Sequence, residues 1–145
     1  MKTNVLQYNA GLLIKQLAWL QHSYEQAKSI GLKDSYSMAD FDIFENLSSR
    51  FARSTDFLIR KVFRSIDEAE FEPQGTLIDV VNNAHKRHLF ENIEDIRAIK
   101  DLRNSIAHEY IDEELEKLFA ELLDYSERLI FIAKTTLKYI ESHHP

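Results

Sequence analysis

From Leu6 to Ala27, apolar side chains return alternately after four and three residues, at Leu6, Ala10, Leu13, Leu17, Leu20, Tyr24 and Ala27. An α-helix gathers such positions on one side, because a step of three or four residues comes back to nearly the same angle at about 3.6 residues per turn. A strand would return every second residue instead. A seam of this length is not buried by the helix that carries it, so it demands other helices lying along it at a shallow angle. The far end of the chain repeats the demand with Leu115, Leu118, Leu122, Ser126, Leu129, Ala133, Thr136 and Ile140. Around Leu129-Ile130-Phe131-Ile132-Ala133 that segment is apolar nearly all round. Such a segment belongs at the centre of a bundle or against a second copy of the chain.

The stretches between carry starts and stops. The first helix is predicted from about Asn4 to Ile30, with Gly31 as its left-handed cap and Trp19 off the seam, at a rim or an interface. Ser37-Met38-Ala39-Asp40 has the form of a capping box and opens a helix expected to run to about Glu70. Its apolar side is Phe44, Leu47, Phe51, Leu58 and Val62, interrupted by Ser48 and Thr55. Glu72-Pro73-Gln74-Gly75 is a clear break, and Thr76 with Asp79 starts a short helix to about Ala84. His85-Lys86-Arg87-His88 reads as surface or loop, and with no third ligand evident its two histidines are not expected to hold a metal. Asn92 and Asp95 cap a helix expected to end near Tyr110 or Ile111, and Asp112 is the expected N-cap of the last helix. The tail Ser142-His143-His144-Pro145 is expected to fray.

With 3 glycines and 2 prolines in 145 residues, little room remains for the turns of an all-β fold. The prediction is therefore an all-α, antiparallel, up-and-down bundle of four to five helices forming a single domain over 1–145. The net charge of −6 argues against general adhesion to nucleic acid or acidic membranes. The absence of cysteine removes disulfides and thiolate ligands and suits a reducing compartment. Lys15 and Gln16 break the first apolar run, so it does not read as a signal peptide, and no stretch approaches the roughly 20 apolar residues of a membrane span. A cytoplasmic location, without membrane or cofactor, is the expectation.

Function points to Asp101-Leu102-Arg103-Asn104-Ser105-Ile106-Ala107-His108-Glu109-Tyr110. Ile93, Ile96, Ile99, Leu102 and Ile106 draw an apolar stripe, and helical angles put Arg103 inside it. An arginine keeps its proton, so on such a face it must find an anion or a polar cavity. Tyr110 falls within about 20° of Arg103, and Asn104 and His108 share the neighbouring face. Two readings stand on spacing alone. In one, Arg103 pairs with a carboxylate of a neighbouring helix, Asp56 or Glu45, and the rest closes the core. In the other, the group is a metal-free ribonuclease site: His108 removes the 2′-hydroxyl proton, Arg103 stabilises the pentavalent phosphate and Asn104 orients one of them. A two-fold dimer would supply both an acid and a base. Arg50, Arg53, Arg60, Lys61 and Arg64 share an arc of about 100° on the second helix, either a solvated charged face or a track for RNA phosphates.

Arg103-Asn104, three residues, then His108-Glu109-Tyr110 resembles the R-x4-H-x-Y signature of HEPN domains, small helical proteins, here as there near the end of a late helix with a long helix after it. The layout resembles most the stand-alone members encoded beside a minimal nucleotidyltransferase, the HepT-like or nucleotidyltransferase substrate-binding proteins. That resemblance implies a homodimeric bundle with such a transferase as partner, and two jobs. In the first, the protein is an RNase toxin of a toxin–antitoxin pair, with Arg103 and His108 catalytic, Asn104 assisting, and Tyr110 receiving AMP from the partner. In the second, the bundle is a non-catalytic subunit that holds a substrate for the transferase.

Overall fold

The computed structural model describes residues 2–106 and 112–145, and of Lys2, Thr3 and residues 112–115 the backbone alone. Among the described residues the chain is helical and contains no strand. The helices are α1 (Lys2–Ile30), α2 (Met38–Phe57), α3 (Phe63–Ala69), α4 (Leu77–Lys86), α5 (Ile93–Ile106) and α6 (Asp112–His143), with the π-helical turn Leu58–Val62 joining α2 to α3.

Local chemistry sets most of the boundaries. Gly31 ends α1 at φ 72°, and its N–H reaches Ala27 O at 3.1 Å. A side chain would be strained there, which is why glycine suits the position. Both capping boxes form: Ser37 exchanges hydrogen bonds with Asp40, and Thr76 with Asp79. Phe71 and His88 also take positive φ, 62° each, and there the N–H of the following residue closes back on Asp67 O and Ala84 O. These are Schellman turns built without glycine.

The α1 seam packs on α2, α3 and α6, with Leu6, Leu13, Leu20 and Ala27 almost wholly buried. Asn9 bonds Ser65 while Arg50 bonds Ser23, so α1 runs antiparallel to the α2–α3 rod. Gln7 at one end of α1 meets His144 beyond the end of α6, so this pair is antiparallel as well. Phe44 stacks on Phe119 at 4.0 Å between ring centres, and Tyr36 meets both rings edge-on. α5 lies against α2 and α6, and α4 closes one end against α3 and α5.

The second helix runs to Ala69 as expected, but Phe63 N–H bonds Leu58 O five residues back, the mark of a π turn. Along α6 the seam from Leu118 to Ile140 is buried, and Phe131 is the outward member of its greasiest stretch. The side chain of Leu115 and the predicted end of the fifth helix at Tyr110 or Ile111 lie outside the described residues.

Two expectations need correction. Arg87 is not a surface residue: its Nη1 donates to Asp67 Oδ1 at 2.6 Å and its Nε to Glu70 Oε1 at 3.0 Å, under the cover of the α3–α4 junction. The buried Asp67 carboxylate requires a cation, and among the described residues Arg87 is the one that pairs with it. Nor does the tail fray, since His144 Nε2 stands 2.8 Å from Glu70 Oε2 and its carbonyl accepts from Gln7.

Candidate functional site

Asn92 Oδ1 accepts the Glu94 N–H at 2.9 Å and starts α5, after which Ile96, Ile99 and Leu102 turn into the core. Arg103 therefore stands at the edge of the buried stripe rather than inside it, its side chain 33% exposed and facing α2. Its Nε and Nη2 donate to Asp56 Oδ1 and Oδ2 at 3.0 and 2.9 Å. Of the two carboxylates available by sequence, the structure selects Asp56. This fork-to-fork geometry uses two of the five guanidinium N–H donors and fixes the plane of the group. Asp56 raises the Arg103 pKa above its ordinary value, first by these bonds and then by its charge.

Beside this pair lies a cleft of about 300 Å³ between the α2 end, the π turn and α5. Asn104 lines it together with Arg103, and Arg60 and Lys100 add two more cations. Neither Arg60 nor Lys100 has an ion-pair partner among the described residues. Ile59 and Leu77 give the cleft an apolar wall, and Asp56 is the carboxylate among its described lining residues. Thr55 also lines it, 1% exposed, with its Oγ1 buried and lacking a hydrogen-bond partner. A recess with surplus positive charge and an amide is suited to an oxyanion such as a phosphate.

His108 and Tyr110 lie outside the described residues, so the structure brings together Arg103, Asn104 and Arg60 of the residues singled out by sequence. The other four basic residues of the second helix go elsewhere. Arg50 and Arg53 line a separate cleft against α1. Arg64 Nη1 donates to Gly75 O at 3.0 Å and so holds the break before α4. Lys61 is exposed. The π turn contributes to this dispersal, because an extra residue in one turn rotates everything after it.

Sequence reasoning missed Lys100 and Thr55. Lys100 precedes Arg103 by three, a spacing that puts both on one helical face and could have revealed it. Thr55 interrupts an apolar side, which signals a polar requirement without saying which neighbour imposes it. Among the described residues no group of three or more histidines and carboxylates is arranged to hold a metal ion, and no helix is long and apolar enough to cross a membrane. Set against protein-family models, curated proteins and solved structures, the chain matches none of them.

Proposed function

We propose that this chain is a HEPN-type helical protein that works with a separately encoded minimal nucleotidyltransferase, as a metal-independent RNase toxin of a toxin–antitoxin pair. The observation that carries the reading is the cationic cleft in which Arg103 and Asn104 of the R-x4-H-x-Y run stand with Arg60 and Lys100. An RNA phosphate in that cleft would meet the three guanidinium N–H donors that Asp56 leaves free. His108 takes the 2′-hydroxyl proton, the 2′-oxygen attacks phosphorus, and the bond to the 5′-oxygen breaks. That leaving oxygen takes its proton from His108 of a second copy, so the active species is a homodimer. AMP placed on Tyr110 by the transferase adds bulk and negative charge where the RNA phosphate sits, and thereby silences the enzyme.

A second reading has its own support. Asp56 already holds Arg103 with two hydrogen bonds, as a purely architectural arginine would be held. In that case the bundle is the non-catalytic substrate-binding subunit of a two-component nucleotidyltransferase. Incubating the purified chain with total RNA in EDTA, beside His108→Ala of equal thermal stability, separates the two. The ribonuclease reading expects cleavage by the wild type alone, from a species of twice the chain mass. No cleavage by either protein, with a stable complex formed on adding the transferase, would establish the subunit reading instead.

A further inference from the structure

On the other flank of α2 lies a second cleft, of about 350 Å³, against α1. Ser54 walls this one and Thr55 the first, so consecutive residues of α2 divide them. Its chemistry is unlike that of the chain as a whole. The chain carries a net charge of −6, yet the described residues lining this cleft include the cations Lys15, Arg50 and Arg53 and no carboxylate. Trp19 stands at its edge, 61% exposed, with the Arg50 guanidinium 4.7 Å from the ring centre. Arg50 is not free to turn away, since its Nη1 donates to Ser23 Oγ at 2.7 Å and to Trp19 O at 3.2 Å. The indole and the guanidinium thus form a fixed, layered platform with open surface.

A rigid aromatic and guanidinium layer beside two cations without ion-pair partners among the described residues is the complement of a nucleotide. Planar bases stack on tryptophan and on arginine planes. A phosphate satisfies Lys15 and Arg53. We propose that the α1–α2 cleft at Trp19 binds an unpaired nucleotide, its base layered on the Trp19–Arg50 platform and its phosphate held by Lys15 and Arg53. The ligand is either a free nucleotide or one residue of a single-stranded RNA. This site does not depend on the ribonuclease reading, and it stands if no RNA is cleaved.

Trp19 is the single tryptophan of the chain, so indole fluorescence reports this cleft alone. The full chain carrying His108→Ala, which keeps any RNA intact, is titrated with AMP, with an unstructured RNA oligomer and with inorganic phosphate. We expect saturable quenching by AMP or by the oligomer. Saturation by AMP identifies a free-nucleotide site, and saturation by the oligomer alone identifies a strand site. Arg53→Ala should weaken the affinity about tenfold, while Lys117→Ala, an equal charge change on the exposed face of α6, should not. The proposal is overturned if neither nucleotide quenches, if inorganic phosphate quenches equally well, or if Arg53→Ala behaves like Lys117→Ala.

Discussion

Two arginines of this chain, each gripped by carboxylates, differ in what surrounds them. Arg103 and Asp56 are 33% and 38% exposed, so water screens their attraction and competes for both groups. Arg103→Ala should therefore change folding stability by no more than about 1 kcal/mol, while under the ribonuclease reading it abolishes RNA cleavage. Urea unfolding and an RNA gel run on the same preparation check both halves. Arg87 and Asp67 are 9% and 1% exposed. Removing Arg87 strands a charge that has almost no access to water, with Asn83 Nδ2 at 3.3 Å as its remaining side-chain donor among the described residues. Arg87→Ala should lose about 3–5 kcal/mol, read as a large fall in urea midpoint. A loss below about 1 kcal/mol would mean that Asp67 is rehydrated or protonated once its partner is gone. The same residue type at similar distance from a carboxylate thus gives a tunable surface group in one place and a structural anchor in the other, and burial makes the difference.

Among the elements, helix starts were the most legible part of the chain, because an N-cap is a contact between residues three apart and needs no knowledge of the fold. Ser37 and Asp40, and Thr76 and Asp79, form the reciprocal bonds that their spacing predicts. Ser37→Ala should accordingly cost about 1 kcal/mol, seen as a shift of the urea midpoint with an unchanged slope. The π turn was not legible. Leu58, Ile59 and Val62 are buried together there, and the wider turn keeps both flanking stretches facing the core. Which register satisfies the core depends on helices far away in sequence, so period counting alone missed the turn. It contributes to setting Arg60 over the α5 cleft, away from Arg50 and Arg53. A helical projection of the sequence had gathered these residues into one arc.

For the molecule as a whole, the closing contact is made by the tail. Glu70 accepts from Tyr139 at 2.6 Å and from Arg87, and His144 stands on the same oxygen as Tyr139. Burial first, then the hydrogen bond to Glu70 and its charge, push the Tyr139 phenol up to about 12. Burial also pushes Glu70 up, but the bonds from Tyr139, His144 and Arg87, with the charge of Arg87, outweigh it and hold the carboxyl below its ordinary value. The folded state thus favours a protonated Tyr139, a contribution fully present below the free phenol value of 10.0 and lost as pH rises toward about 12. It favours an ionised Glu70 as well, a contribution present above 4.5 and lost as pH falls through the lowered folded value. Urea midpoints should therefore decline at both extremes. Tyr139→Phe should lower the plateau by about 1–2 kcal/mol and flatten the alkaline decline between pH 10.0 and about 12. An alkaline limb as steep as that of the wild type would show that Tyr139 does not cause it.

Period, caps and the scarcity of glycine and proline determined by themselves that the chain is helical, where most helices begin, and which sides face inward. These are short-range properties: a three-to-four repeat and a cap act within a turn or two of the same segment. The R-x4-H-x-Y run was equally visible as a local pattern. What surrounds it was not, because the choice of Asp56 over Glu45 and the arrival of Arg60 and Lys100 in one cleft depend on how α2 and α5 are rotated against each other. The burial of Arg87 and the docking of His144 on Glu70 likewise join residues 17 and 74 positions apart. Electrostatic partnership is decided by distance and dielectric, and tertiary packing alone sets both.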